Sequence, residues 1–365
     1  MAATKLILVG GFLGAGKTTL LAQAGAQLAA RGLRVGLLTN DQAPDLVDTA
    51  FLKRKGFNVG EVCGGCFCCK FDTFVEAAGR LRKEHAPEVL LAEPVGSCTD
   101  LSATVIQPLK DLAAREFALA PFSVVLDPAR LREAVFVKSG RFCNDVQYIY
   151  QKQVAEADVV LLNKADVTAP EELESCRAQL AARYPATRVF AVSALRGDGV
   201  AAWLDFLLGT QSAGQHLVEV DYDTYASGEA ALGWLNAFVL AQAKRTCDWE
   251  AFVCRLLENI QAAARAQQAE IAHLKVFVSA GSGTLIANLT RTDGKLSCRT
   301  EGQLGAPQAE VTVNARIQEN PENLRAMVEQ AMRAAAGAEV ACAIKSLDSF
   351  KPGRPQPRHR YARVV

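Results

Sequence analysis

Ten residues near the start of the chain, Gly10-Gly11-Phe12-Leu13-Gly14-Ala15-Gly16-Lys17-Thr18-Thr19, have the types and spacing to hold phosphate. Read from Gly11, they satisfy G-x-x-x-x-G-K-[ST], with the apolar run Leu6–Val9 leading in and a helical pattern leading out. Glycines 11, 14 and 16 let the backbone curl until its N–H groups, those of Ala15 and Thr19 included, face phosphate oxygens at a helix N-terminus. Lys17 would reach the β- and γ-phosphates, and Thr18 would hold Mg²⁺.

A second chemistry lies in Cys63-Gly64-Gly65-Cys66-Phe67-Cys68-Cys69, four thiols in seven residues. Thiolates this close repel one another and oxidise readily unless a soft cation holds them. The spacing is not that of a paired C-x-x-C structural zinc site, and an open site of three Cys ligands with an exchangeable fourth position fits better. A redox dithiol and a set of buried structural cysteines are the alternatives.

Two acids could serve the phosphate. Glu93-Pro94-Val95-Gly96 places a carboxylate where a nucleotide hydrolase keeps its Mg²⁺ or water partner, and Gly96 could offer its N–H to a γ-phosphate. Asp41, in Thr39-Asn40-Asp41-Gln42, is the best placed of the acids after the second apolar run, ahead of Asp45 and Asp48, unless it only caps a helix. Cys98 either completes a metal shell or is a small buried hydrophobe. Asn163-Lys164-Ala165-Asp166 reads the base: a carboxylate at 166 accepts from N1–H and the exocyclic amine of guanine, whereas adenine has an acceptor at N1 and no 2-amine. Polar groups left unpaired by the wrong base make such discrimination steep, on the order of 10⁴. Ser193 and Ala194 stand where backbone N–H groups would meet the guanine oxygen.

These residues need a scaffold that gathers them. Apolar β-rich runs at 5–10, 34–39, 58–62, 89–93, 123–127, 159–163 and 188–192 alternate with amphipathic helical segments. The pattern predicts a mostly parallel sheet covered by helices on both faces, with ligands at the carboxyl ends of the strands. Each motif above sits at such an end. The small polar stretch 209–215 marks a boundary, so residues 1–209 form one predicted domain and 216–345 a smaller α+β domain with strands at 217–220, 236–240, 274–279, 284–289 and 310–317. Lone His216 and His273 read as structural. Residues 351–365 hold three prolines, five Lys or Arg and no acid, the composition of a mobile tail.

Of the 365 residues 50% are hydrophobic and 22% charged, with a net charge of +1, so both domains can bury a core and nothing draws the chain globally to nucleic acid or membrane. A signal-peptide pattern and an apolar run long enough to span a bilayer are lacking, which points to the cytoplasm. The eleven cysteines then suit metal or redox chemistry better than disulfides.

Taken in order, G-G-F-L-G-A-G-K-T-T, G-C-F-C-C, E-P-V-G and N-K-A-D resemble the CobW-type GTP-binding metallochaperones, relatives of the nickel-handling GTPases that mature urease and hydrogenase. The resemblance covers about residues 4–208. It implies that Lys17, Thr18 and Glu93 serve Mg–GTP, that Asn163 and Asp166 read guanine, and that Cys66, Cys68 and Cys69 hold Zn²⁺, or Co²⁺, for transfer to a metal-requiring client protein during the GTP/GDP cycle. A homodimer is possible. This chain has Asn40-Asp41-Gln42-Ala43 where the family carries an Asn-Glu-Phe-Gly-like segment, and it lacks a His-rich storage tract. A GTP-dependent activator of a metal-cofactor enzyme such as a corrinoid protein, and a metal or redox sensor without delivery, are the competing functions.

Overall fold

The computed structural model describes residues 3–41, 47–137 and 141–365. Packing divides the chain into two units: residues 1–44, 48–226 and 354–365 in the first, residues 45–47 and 227–353 in the second. The first unit contains strands β1 (Thr4–Gly10), β2 (Val35–Asp41), β3 (Asn58–Cys63), β4 (Val89–Glu93), β5 (Phe117–Leu119), β6 (Ser123–Leu126), β7 (Val159–Leu162) and β8 (Arg188–Ala191). Its helices are α1 (Lys17–Ala30), α2 (Val47–Arg54), α3 (Phe71–His85), α4 (Gln107–Leu112), α5 (Pro128–Leu131), α6 (Asn144–Ala155), α7 (Pro170–Arg183) and α8 (Val200–Gly209); α9 (Tyr222–Ala230) carries the chain across the division.

The eight strands form one sheet, β3-β2-β4-β1-β6-β7-β8, with β5 beside the start of β1, and every described pairing is parallel. In the central strand Leu6, Ile7, Leu8 and Val9 are all at most 1% exposed, so both faces of the sheet are covered, as a continuous apolar run requires. Because the strands run the same way, the carboxyl ends of β1, β2, β3, β4 and β7 lie along one edge. That edge carries the chemistry.

Residues 210–221, which include the strand expected at 217–220, join neither a helix nor a sheet. Side chains take up the backbone groups a ladder would use: Asp158 accepts from the N–H groups of Gly214 and Gln215 at 2.5 and 2.8 Å, Lys152 donates to the Glu219 carbonyl at 2.5 Å, and Tyr148 accepts from Asp221 N–H at 2.7 Å.

The second unit is an antiparallel sheet, β12-β11-β10-β13-β9-β14, built from β9 (Gly233–Ala243), β10 (Ile271–Ala280), β11 (Gly283–Leu289), β12 (Ser297–Glu301), β13 (Gln308–Ile317) and β14 (Val340–Phe350). Helices α10 (Trp249–Ala266) and α11 (Pro321–Ala336) bury Trp249, Phe252, Leu256, Met327 and Val328 in a core shared with alternate residues of the strands. Gly281, at φ +62°, makes the tight turn from β10 to β11. Strands β12 and β14 are short or exposed and carry no clean alternation, which hid them in the sequence.

The tail differs from its expectation. Residues 354–365 lie along the first unit: Arg358 and Tyr361 donate their N–H groups to the carbonyls of Cys68 (2.9 Å) and Ala103 (3.0 Å), and Arg354, Arg358 and Arg360 pair with Asp223, Asp72 and Asp100. Composition read the arginines as solvated, whereas the fold leaves carboxylates for them. Asp100 is fully buried and left-handed (φ +62°), accepting from Arg360 Nε and the Tyr222 hydroxyl, each at 2.7 Å. Among the described residues no helix is long and apolar enough to cross a membrane.

Candidate functional site

The loop after β1 turns into α1 through Gly16, whose φ of +99° lies in the left-handed region that glycine adopts freely. A Cβ at Gly16 would stand 2.4 Å from Asn163 Nδ2, so the absence of a side chain lets Asn163 reach across. Asn163 donates to the Ala15 carbonyl at 2.7 Å and accepts from Ala194 N–H at 2.9 Å. One buried side amide thus ties the end of β7 to the loop after β1 and to the loop after β8. Lys17 and Thr18 are buried at the start of α1; Lys17 Nζ lies 3.4 Å from the Phe12 carbonyl and 3.8 Å from Glu93 Oε1, and Thr18 Oγ1 lies 3.3 Å from the same carboxylate oxygen. Thr19 is half-buried one residue on. A Cβ on Gly96 would come within 3.0 Å of Lys17 Nζ, which places the backbone after β4 directly against the lysine.

Lys164 is left-handed (φ +62°), and its Nζ meets Asp127 Oδ2 at 2.5 Å. Burial alone would raise the Asp127 carboxyl, but the Lys164 ammonium, with Arg130 behind it, outweighs burial and holds it below the usual carboxylate range. Asp166 is largely buried, with Arg196 Nε at 3.9 Å. The N–H groups of Ser193 and Ala194, expected at the guanine oxygen, are engaged otherwise: Ser193 donates to the Asp198 carbonyl at 2.9 Å and Ala194 to Asn163. They brace the loop around Asn163.

The loop after β3 brings the thiols of Cys66, Cys68 and Cys69 within 4.8 Å of one another, the sulfurs of Cys66 and Cys68 at 2.9 Å and those of Cys68 and Cys69 at 3.9 Å. Cys63 points to solvent at the end of β3. Hydrogen bonding from Cys68, then Cys69 and Cys98, makes Cys66 the easiest thiol to ionise, well below its ordinary value despite burial. The same contact with Cys66 keeps the others protonated, Cys68 well above its ordinary value and Cys69 pushed up to about 11. One thiolate shared by neighbouring S–H donors is an arrangement a soft cation can enter by displacing protons.

Asn40 holds this loop in place, a role the sequence reading did not find. Its side amide donates to the carbonyls of Val62 (2.9 Å) and Gly65 (2.7 Å) and accepts from Phe67 N–H (2.9 Å). The available signal was a polar residue buried near the end of an otherwise apolar strand. Asp41 ends β2 opposite Cys63, its side chain outside the described residues, as are Gln42, Ala43, Asp45 and the side chain of Asp48. Gln153 and Glu156 of the α6 region fix the segment after β4: Gln153 Nε2 donates to the carbonyls of Gly96 (3.0 Å) and Cys98 (2.8 Å), and Glu156 accepts from Thr99 Oγ1 and Ser102 N–H.

Residues 5–191 match the family model described as CobW/HypB/UreG, nucleotide-binding domain. The chain is 30% identical over 175 residues to the zinc chaperone YeiR of Escherichia coli (strain K12), covering 46% of this chain and 48% of YeiR. It is 27% identical over 231 residues to the zinc chaperone CobW of a Sinorhizobium species, covering 55% of this chain and 62% of that one. It therefore spans less than two thirds of either relative. Among solved structures, the hydrogenase maturation factor HypB from Archaeoglobus fulgidus is 21% identical with a TM-score of 0.39 over 57% of this chain and 91% of HypB. Zn(II)-bound YjiA GTPase from E. coli is 18% identical with a TM-score of 0.36 over 90% and 99%. Neither score is high enough to bear on function. With the phosphate loop, the thiol cluster and the buried asparagine of β7 gathered on one sheet edge, and with the family model matching over 5–191, the chain belongs to the CobW/HypB/UreG family.

Proposed function

We propose that the protein is a GTP-hydrolysing metallochaperone that takes up Zn²⁺, or Co²⁺, on Cys66, Cys68 and Cys69 and passes it to a cytoplasmic client protein under control of the nucleotide. The observation that carries this reading is the meeting of three thiols within 4.8 Å on the sheet edge that also presents Lys17, Thr18 and Glu93. Glycines 11, 14 and 16, with Ala15, Thr18 and Thr19, supply the N–H cradle for GTP phosphates, and Gly96 offers a further N–H on the γ-phosphate side. Thr18 and Glu93, whose oxygens already approach to 3.3 Å in a buried setting, are fitted to hold Mg²⁺. There the cation supplies charge neutralisation for phosphoryl transfer. Lys17 contributes a fixed positive charge in a buried setting, where such a charge acts more strongly than in open solvent. We assign the orientation of the attacking water to Asp41 or Glu93. Asp166 accepts the guanine donors, while Asn163, Lys164, Ser193 and Ala194 keep its loop and the phosphate loop in one frame.

The metal is cargo. Three thiolates bind Zn²⁺ firmly, and because the affinity order of divalent ions is set by ligand type rather than by need, the choice between Zn²⁺ and Co²⁺ is made by something other than affinity. Metal and nucleotide are then linked ligands, each tightening or loosening the other by the same factor, typically about 5–150-fold. Competition with a chromogenic chelator tests this on the full chain, loaded in turn with a non-hydrolysable GTP analogue and with GDP. Different metal affinities in the two states are expected; equal affinities would reduce the protein to a GTPase with an unrelated thiol cluster.

A further inference from the structure

We propose that Cys98 is a fourth thiolate ligand of the site formed by Cys66, Cys68 and Cys69, so that the metal is held between the loop after β3 and the loop after β4. The proposal rests on reading the three-thiol cluster as a metal site and adds the residue that closes it. Cys98 is buried, at 1% exposure, and its thiol is a hydrogen-bonding neighbour of both Cys66 and Cys68. Its backbone is fixed: Cys98 N–H donates to the Val95 carbonyl at 2.9 Å, and Gln153 grips the carbonyls of Gly96 and Cys98 together. A Zn–S bond of about 2.3 Å puts the sulfurs of a tetrahedral site roughly 3.8 Å apart. Cys68 and Cys69 stand at 3.9 Å already, while Cys66 and Cys68, at 2.9 Å, need only spread by a fraction of a bond length to admit an ion. The extra negative charge has a donor nearby, since Gln356 N–H lies 3.2 Å from Cys69 Sγ.

The position of Cys98 gives the ligand a meaning beyond affinity. Four thiolates make a closed site, and closed sites store metal, whereas three leave a position open for exchange. Cys98 is five residues beyond Glu93, on the same segment as Gly96, whose backbone abuts Lys17. A shift of that segment with the state of the γ-phosphate would withdraw one thiolate while Asn40 keeps the other three in place. The site would thereby alternate between a holding and a releasing form.

The full-length protein loaded with one equivalent of Co²⁺ gives the test, because the near-ultraviolet thiolate-to-cobalt band grows with the number of Co–S bonds. Cys98→Ser is expected to lose about a quarter of that intensity, from four bonds to three, and to weaken Zn²⁺ in chelator competition by about tenfold or more. Zinc-edge X-ray absorption on the unmodified protein is expected to count four sulfurs, a measurement that needs no variant to fold. Three sulfurs there, or a Cys98→Ser spectrum and affinity superimposable on the parent, would overturn the proposal. The Cys66, Cys68 and Cys69 to Ser triple variant separates the two readings: retention of tight metal by the triple variant sinks the metal site as a whole, and its loss beside an unaffected Cys98→Ser sinks only the fourth ligand.

Discussion

The loops after β1 and after β3 solve opposite electrostatic problems with one device. On the proposed function the first holds an anion, with backbone N–H groups that a left-handed glycine aims inward. On the same reading the second holds a cation, for which the backbone has no negative charge to give, so the charge comes from cysteine side chains. In both, the loop is pinned by a single buried asparagine reaching from a neighbouring strand end: Asn163 joins Ala15 to Ala194, and Asn40 joins Val62 and Gly65 to Phe67. A side amide suits the task because it donates and accepts at once and carries no charge to disturb the ligand. The lesson is that the ligand's sign chooses the contacting groups, while the clamp is indifferent to it.

The largest effect should come from the base. If Asp166 accepts both guanine donors, Asp166→Asn will turn preference from guanine to xanthine nucleotide, a reversal on the order of 10⁴ in the ratio of affinities measured by competition. An unmodified protein that binds ATP and GTP equally would remove the assignment. Next is Lys17→Ala, expected to lower GTP turnover by about 10²–10³-fold while leaving nucleotide-free metal binding untouched. A parallel fall in metal affinity would show that the anion and cation loops are not separate devices.

The clamps sharpen the comparison further. Asn40→Ala should weaken metal by about 10–100-fold and spare GTP, and Asn163→Ala should do the reverse. Either variant will also lose stability, since each leaves buried N–H or C=O groups without their partner at about 1–3 kcal/mol apiece. Titration of each variant with both ligands is the measurement, and equal losses on both would show one shared frame rather than two.

The remaining effect is a slope with pH. Burial, against the hydrogen bonds from Ser102 and Thr99, pushes the Glu156 carboxyl from 4.5 up to about 8. The folded state therefore holds that proton more tightly than the unfolded chain does. Its stabilisation is complete below pH 4.5 and is lost as pH rises through 8, at up to about 1.4 kcal/mol per pH unit between. Glu156→Gln keeps the shape without the charge, so its melting temperature should gain on the parent as pH rises from 5 to 8. A constant difference across that range would mean the carboxyl is ionised in the fold.

What could be read from the sequence was local. The phosphate loop, Glu93, the cysteines and Asn163-Lys164-Ala165-Asp166 announce themselves because the residues that act together are neighbours in the chain, and the parallel sheet then had to bring them to one edge. Asn40 was passed over because its partners, Val62, Gly65 and Phe67, lie more than twenty residues away on another strand's loop. The tail was misjudged for the same reason: nothing in Arg358 or Arg360 says that Cys68 and Asp100, far back in the chain, will meet them. The exposed strands β12 and β14 owe their structure to pairing alone, with little pattern of their own.

The docking of residues 354–365 has a consequence in time. A chain is made from its first residue onward, and about 130 residues of the second unit separate Ala226 from Arg354, roughly 6–25 s of synthesis at 5–20 residues per second. For that interval the cysteine loop exists without the N–H groups of Gln356 and Arg358, and Asp100 without Arg360. The thiols are then as accessible as they will ever be, and the nascent protein passes through an age at which an ion or an oxidant meets the cluster before its own strap does.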